Sequence, residues 1–192
     1  MIALFLGFLF INTSFEADAQ KLEYDIIWLG KVGKLKINKT ITDEYSFIET
    51  NSTVKVPFYR FNWITNTKYA DGQLQSSNYA QLLNDKRREY TEIDFVNDSL
   101  WQVVFDDGEQ EMICIKNHFI VSNLYYKEPV DQKYIFSERF GKPLELVVKG
   151  DGHYRLLLPD KNYCDFFYEE GVCTIVKAKN GPRTIKFVLQ TG

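Results

Sequence analysis

The fold class that the sequence predicts is mainly β: a strongly curved antiparallel sheet or incomplete barrel wrapped around one central helix at about residues 118–127. Two observations predict the sheet. Short runs of alternating apolar and polar residues fill most of the chain, and turn signals such as Asp71-Gly72 separate them. A third observation predicts the helix, because one stretch near the middle repeats its apolar residues at the helical period.

Eight strands are predicted before the helix. The second shows the pattern well, since Leu35, Ile37 and Ile41 alternate with polar side chains. Such alternation gives a strand one face for the core and one for solvent. The predicted strands cover residues 22–28, 35–41, 45–56, 59–69, 73–83, 87–96, 100–105 and 111–116.

The central helix is predicted from an apolar stripe between two end signals. Asn117 is a suitable N-cap and Pro129 a suitable stop. The stripe consists of Ile120, Val121, Leu124 and Tyr125. About a dozen strands are more than an open sheet tolerates without curling, so we expect the sheet to curl around this stripe and bury it.

Five further strands are predicted in the C-terminal part of the chain. A polar linker at 128–132 precedes a segment at 134–140 that suits a short helix or an ordered loop, although its Tyr-Ile-Phe run also suits a strand. No linker rich in Ser, Gly or Pro divides the chain, so residues 20–192 are predicted to form a single domain. The five strands cover residues 144–149, 153–158, 163–168, 172–178 and 184–190.

The N-terminal residues predict export. Residues 1–11 are almost wholly apolar and are followed by Ala17-Asp18-Ala19, the small-x-small pattern of a signal-peptide cleavage site. The competing interpretation, a membrane anchor, needs about 20 apolar residues, and Asn12 interrupts this run. We therefore expect a signal peptide at 1–19, no transmembrane span in the mature chain, and a periplasmic or outer-envelope location.

Charge and cysteine content limit the classes of partner. The formal net charge is −3, and it becomes −1 when Glu16 and Asp18 leave with the signal peptide, so nucleic acid is not an expected partner. Export permits disulfides, and Cys164 and Cys173 flank a turn near residue 170. Two alternatives stay open for this pair: a bridge across a longer loop, or two small buried thiols.

Catalytic and metal-binding signatures are missing from the sequence. Its two histidines, His118 and His153, give little material for a general base or a zinc site, and no nucleophile-elbow, zinc-protease or phosphate-loop motif occurs. The acidic run at 106–111 lacks the spacing of a calcium loop and suits a hairpin turn instead. We expect a protein that is not an enzyme and has no cofactor and no bound metal.

Five segments of the chain form recognisable motifs: Leu-Tyr-Tyr-Lys-Glu-Pro at 124–129, Phe-Ser-Glu-Arg-Phe-Gly at 136–141, Tyr-Arg-Leu-Leu-Leu-Pro-Asp at 154–160, the segment 163–171 and the hairpin 24–33. Together these motifs resemble a family of exported β-rich proteins of unknown function that is common in Bacteroidota-type bacteria. The resemblance implies export and a β-rich fold, distantly similar to the half-barrels of periplasmic lipoprotein carriers. It implies no catalytic residues.

The aromatic content, 16% of the chain, suggests a function. Aromatic residues at alternate positions of a curved sheet would line an apolar, concave ligand site. We therefore predict a non-enzymatic periplasmic binding or carrier-like protein for an apolar or amphipathic small molecule. The alternative is an envelope structural or protein-interaction module whose aromatic residues simply fill its core. The predicted ligand contacts are Trp63, Trp101, Leu124, Tyr125 and Phe136.

Overall fold

In a computed structural model, the described part of the chain, residues 18–97 and 99–190, folds into one antiparallel sheet of 14 strands. The mainly β prediction is confirmed. The strands are β1 Asp18–Ile27, β2 Lys31–Ile41, β3 Tyr45–Val56, β4 Tyr59–Ala70, β5 Gln73–Leu83, β6 Lys86–Asn97, β7 Leu100–Phe105, β8 Gln110–Ile113, β9 Tyr134–Ser137, β10 Lys142–Gly150, β11 His153–Leu157, β12 Tyr163–Glu169, β13 Val172–Asn180 and β14 Arg183–Leu189.

The sheet is a meander in which the first and last strands are neighbours. β1 pairs with β14, while β8 and β9 form the two edges of the sheet. Residues 114–133 connect these edges, and they include a 3-10 helix, Val121–Tyr125. A second 3-10 helix, Pro159–Lys161, lies between β11 and β12.

Apolar side chains of the inner face form two core clusters. The first contains Trp101, Ile120 and Phe136, and the second contains Leu124 and Ile135. Residues from the connecting segment therefore enter both clusters, because Ile120 and Leu124 are completely buried. Burial of these residues inside the sheet is the main source of stability expected for the connection.

The sheet curls, which brings strands from opposite ends of the strand order into contact. The Thr91 hydroxyl on β6 donates a hydrogen bond of 2.7 Å to the carbonyl oxygen of Arg139, in the turn after β9. Arg139 also pairs with Glu89 of β6 at 2.8 Å. Gly141 packs against Val103 of β7 so closely that a Cβ at Gly141 would lie 2.6 Å from Val103 Cγ1. The prediction of a curved sheet is confirmed.

The prediction of a central helix at 118–127 is wrong. Only the five residues of Val121–Tyr125 are helical there, and they form a 3-10 helix, whereas Ile120 makes a bridge to Phe136. Isolated helices of this length gain too few hydrogen bonds to offset their nucleation, so tertiary contacts decide the conformation. The predicted burial of the stripe holds for Ile120 and Leu124.

One other local prediction differs from the structure, and the structure has the thiol alternative for the two cysteines. Residues 134–140, predicted as a short helix or ordered loop, begin as strand β9 and pair with β10 before turning at Glu138. The Tyr-Ile-Phe run takes the strand conformation because β10 offers it a partner. Cys164 and Cys173 are free thiols, with Cys173 opposite Tyr168 and Cys164 opposite Ala178.

The predicted signal peptide falls mostly outside the described residues, since only Asp18 and Ala19 of residues 1–19 belong to β1. Among the described residues, no helix is long and apolar enough to cross a membrane.

Candidate functional site

The five predicted ligand contacts take three kinds of position. Trp101, Leu124 and Phe136 are almost completely buried in the core clusters. Tyr125 packs edge-on between Tyr24 and Phe166, with ring centroids 5.4 and 6.1 Å away. Trp63 is half-buried on the inner face of β4, beside the first cluster. Of the five, Trp63 is therefore the residue placed best for contact with a ligand.

Trp101 has a structural partner for its polar atom. Its indole Nε1 donates a hydrogen bond of 2.9 Å to the carbonyl oxygen of Leu74, and its ring lies 5.3 Å from the ring of His118. The Leu74 amide donates in turn to His118 Nδ1 at 3.4 Å, and burial lowers the pKa of the imidazole. His118 is thus a neutral acceptor that fixes the connecting segment to β5.

Two tyrosine hydroxyls hold the 3-10 helix inside the sheet. The Tyr69 hydroxyl lies 2.9 Å from Asn123 Oδ1, and the Tyr168 hydroxyl donates to the carbonyl oxygen of Leu124 at 2.6 Å. Asn123 Oδ1 also accepts a hydrogen bond from the amide of Ile120 at 2.9 Å. Each of these contacts joins the connecting segment to a different strand or to itself, so the segment is a fixed part of the interior.

Glu138 places a carboxylate against the start of the 3-10 helix. It accepts hydrogen bonds from the amides of Val121 and Ser122 and from the Ser122 hydroxyl, at 3.1, 2.9 and 2.5 Å. The side chain is buried, and desolvation raises the pKa of its carboxyl group. All three donors belong to the helix start, so the arrangement acts as a cap rather than as a catalytic acid.

A pair of buried hydroxyls without partners marks the most unusual part of the inner face. Ser52 and Tyr79 are 5% and 7% exposed, and neither Ser52 Oγ nor Tyr79 Oη has a hydrogen-bond partner among the described residues. A buried hydroxyl left unpaired costs about 1–3 kcal/mol. Most native proteins avoid this cost, which singles out these two residues.

Strand register makes Ser52 and Tyr79 neighbours of Trp63 on the inner face. Ser52 is directly opposite Trp63 across β3 and β4, and Tyr79 is opposite Thr65 across β4 and β5, diagonal to Trp63. Phe61 stacks on Trp63 with ring centroids 5.9 Å apart. We call Ser52, Phe61, Trp63, Thr65 and Tyr79 the concave patch. It combines aromatic surface with polar groups, which is the composition of an amphipathic ligand site.

The turn after β9 borders the concave patch. The guanidinium of Arg139 lies 5.8 Å from the centroid of the Tyr79 ring and pairs with Glu89. Burial raises the pKa of the Tyr79 phenol, which therefore stays neutral and can donate a hydrogen bond. The charged Arg139–Glu89 pair thus lies beside a neutral aromatic surface.

The remaining candidate groups have structural roles. Asp107 Oδ1 accepts from the amide of Glu109 at 3.0 Å and shapes the hairpin turn, while Asp106 pairs with Arg87. His153 stacks on Phe167 with centroids 4.3 Å apart. In the residues that the structure describes, no group of three or more His, Cys, Asp or Glu side chains is arranged to hold a metal ion.

Ser52 and Tyr79 are functional candidates that sequence reasoning missed. One signal was present in the sequence. Ser52 lies an even number of residues from Ile48 and Val54, so its polar side chain is predicted on the same, buried face of the strand. The absence of partners depends on register and curl, so it could not be predicted from alternation.

Comparison with solved structures supports the curled, barrel-like architecture. A crystal structure from Brucella abortus, described as a beta-barrel-like protein of Domain of Unknown Function DUF1849, is similar with a TM-score of 0.53. The similarity covers 89% of this chain and 95% of the other at 11% identity, so it concerns the fold alone.

No curated protein matches the chain in sequence. One family does match, over residues 24–190, and this range includes β2 to β14, the connecting segment and the whole concave patch. The chain therefore belongs to the family described as Domain of unknown function (DUF6134).

Proposed function

We propose that the protein is a non-enzymatic binding or carrier protein for an amphipathic small molecule, which it holds on the concave patch. The observation that carries the proposal is the pair of buried, unpartnered hydroxyls on Ser52 and Tyr79 beside the half-buried Trp63. A ligand with an apolar chain and a polar group would stack on the aromatic side chains and pair with the hydroxyls, relieving their desolvation cost.

The chemistry of the neighbouring residues favours a neutral or zwitterionic polar group. Tyr79 is a neutral donor, and the nearby Arg139 already pairs with Glu89. The apolar leader and its cleavage pattern support export to the periplasm or outer envelope, and we take single-chain lipids as the ligand class to test. We also propose a distant relation to the half-barrels of periplasmic lipoprotein carriers.

Tryptophan fluorescence tests the proposal, because the chain has three tryptophans and only Trp63 lies in the concave patch. We expect saturable emission changes when wild type is titrated with a medium-chain lysophosphatidylcholine below its micelle concentration. Trp63→Phe should lose this response. Trp28→Phe is the matched control, because Trp28 lies at the hairpin end beside Arg183 and should leave the response intact.

Two results would contradict the proposal: no saturable response in wild type, or an undiminished response in Trp63→Phe. Calorimetric titration of Trp63→Ala separates loss of binding from loss of signal, and we expect its affinity to fall about tenfold from lost aromatic contact. Native mass spectrometry of the purified protein gives an independent check through co-purifying apolar molecules. The alternative, an interaction module with a filled core, predicts no binding in any of these experiments.

A further inference from the structure

Two apolar side chains are fully exposed at the tips of neighbouring hairpins. Leu29, in the turn between β1 and β2, is 96% exposed, and Phe58, in the turn between β3 and β4, is 92% exposed. Because β2 and β3 are adjacent and antiparallel, both turns lie at the same end of the sheet. We call Leu29 and Phe58 the apolar tips.

The backbone conformation at the apolar tips makes them exceptional within this protein. Leu29 has φ +54° and Phe58 has φ +68°, a left-handed conformation that bulky side chains rarely adopt. Among the described residues, the other non-glycine residues with positive φ are all polar, and Asn and Asp tolerate this conformation best. The polar ones are Asp71, Asn84, Asp85, Asp131, Lys161 and Glu170. Folding alone would favour polar residues at positions 29 and 58. The presence of exposed apolar side chains there therefore indicates a partner outside the chain.

The Phe58 tip is held in a fixed position. Asn84 Oδ1 accepts a hydrogen bond from the Arg60 amide at 2.8 Å, and Asn84 Nδ2 donates to the carbonyl oxygen of Phe58 at 3.3 Å. Arg60 also pairs with Asp85 of the next hairpin. Phe58 is therefore presented to solvent by a hydrogen-bonded turn instead of by a loose loop.

Positive charge lies directly behind both tips. A surface pocket of about 480 Å³ on the outer face of β2 and β3 is lined by Lys31, Lys34, Lys36 and Lys55 and by no acidic residue. Three of these lysines pair with Glu23 or Asp25 on β1, which leaves a surplus of two positive charges. Lys55 is exposed and forms no ion pair with any described residue.

We propose that this end of the molecule docks on the surface of an anionic lipid bilayer. Leu29 and Phe58 enter the acyl-chain boundary, while Lys31 and Lys55, two and three residues from the tips in sequence, meet the headgroup phosphates. Apolar side chains next to lysines are the combination that interfacial membrane binding requires, since each supplies part of the affinity. The contact is separate from the concave patch and does not depend on a ligand there.

Vesicle co-sedimentation of the full chain tests this proposal. We expect wild type to bind vesicles of phosphatidylglycerol mixed with phosphatidylethanolamine and to bind phosphatidylcholine vesicles several-fold more weakly. Leu29→Asn/Phe58→Asn should lower partitioning into the anionic vesicles by at least about tenfold. Val130→Asn is the matched control, because Val130 is an exposed apolar residue at the opposite end of the sheet, and its partitioning should equal that of wild type.

The double variant should fold, because Asn adopts positive φ more easily than Leu or Phe. Its thermal midpoint is expected to equal or exceed that of wild type, so lost vesicle binding cannot be assigned to unfolding. Lys31→Gln/Lys55→Gln should weaken binding to anionic vesicles several-fold and leave binding to phosphatidylcholine unchanged.

Three outcomes would overturn the proposal: no binding of wild type to anionic vesicles, equal binding to anionic and phosphatidylcholine vesicles, or undiminished binding of the tip variant. Dimerisation through the tips without vesicle binding would assign them to protein contact and overturn it as well. The tip variant should retain the lysophosphatidylcholine response of Trp63, so failure of membrane docking and failure of ligand binding are distinguishable.

Discussion

Glu138 accepts two hydrogen bonds from Ser122, one from the backbone amide at 2.9 Å and one from the hydroxyl at 2.5 Å. This relationship joins the turn after β9 to the start of the 3-10 helix. It supplies side-chain acceptors for the free amides of Val121 and Ser122, while Asn123 Oδ1 of the helix itself accepts from the amide of Ile120. The connecting segment thus takes its conformation from a residue 16 positions further along the chain.

The Glu138 contact predicts a pH dependence of stability. Burial raises the folded pKa of this carboxyl above its unfolded value near 4.5, so the folded protein holds the proton to higher pH than the unfolded chain. The stability that Glu138 contributes through this raised pKa is complete below the unfolded pKa, and it is lost as pH rises through the folded pKa. We expect the stability advantage of wild type over Glu138→Gln to shrink with rising pH, by at most about 1.4 kcal/mol per pH unit while the group titrates.

Urea unfolding of both proteins at several pH values from 4 upward measures this advantage. Glu145→Gln, which removes an exposed carboxylate on β10, is the control for the loss of one negative charge. An advantage of wild type that instead grows with pH would mean that the hydrogen bonds outweigh desolvation.

Strand positions could be predicted well from the sequence, and the reason is local. For β5, the flanking turns at Asp71-Gly72 and Asn84-Asp85 predicted residues 73–83, and the structure has Gln73–Leu83. The information lies within the strand and its two turns, so no knowledge of distant residues was needed.

The conformation of residues 118–127 and most of the concave patch depend on distant residues. Helical periodicity could not reveal that Glu138, Tyr69 and Tyr168 would fix the segment as a single 3-10 turn. Trp63 could be predicted as a candidate because it is an inward aromatic residue. Tyr79 could not be predicted as a candidate. The surroundings of its hydroxyl depend on how the sheet curls and brings the turn at Arg139 towards Tyr79, and that hydroxyl has no hydrogen-bond partner among the described residues.

The concave patch predicts an unusual contrast between two buried serines. Ser77 on β5 pairs with the Thr67 hydroxyl at 2.9 Å, whereas the Ser52 hydroxyl has no described partner. Ser77→Ala leaves Thr67 unpaired and should lower the free energy of unfolding by about 1–3 kcal/mol. Ser52→Ala removes an unpaired group, so its stability should match or exceed that of wild type.

Chemical denaturation of the two serine variants measures this contrast, and lysophosphatidylcholine titration adds a functional readout. Ser52→Ala, and more strongly Ser52→Ala/Tyr79→Phe, should bind the ligand more weakly than wild type. Equal losses of stability in Ser52→Ala and Ser77→Ala would show that Ser52 is paired in solution.

The curl of the sheet predicts different effects of alanine at two glycines. Gly141 and Gly72 both have positive φ, at +58° and +72°, so alanine at either position costs about 1–2 kcal/mol of conformational energy. Only Gly141 meets another strand, since its Cβ would lie 2.6 Å from Val103 Cγ1, while nothing lies near Gly72. Gly141→Ala should therefore cost about 1–3 kcal/mol more than Gly72→Ala.

Thermal and urea unfolding of the two alanine variants provides the comparison, and Gly72→Ala serves as the control for backbone strain. Equal destabilisation in both variants would mean that the turn after β9 does not pack against β7, and the curled architecture would need revision.

Ligand binding on the inner face is the central claim, and photocrosslinking tests it most directly. A lysophosphatidylcholine with a diazirine in its acyl chain would be bound to the full chain, irradiated and mapped by peptide mass spectrometry. We predict adducts on the concave patch, at Trp63 and its neighbours Ser52 and Tyr79 on β3 and β5. Adducts confined to the outer face or to Leu29 and Phe58, with none on the concave patch, would contradict the claim.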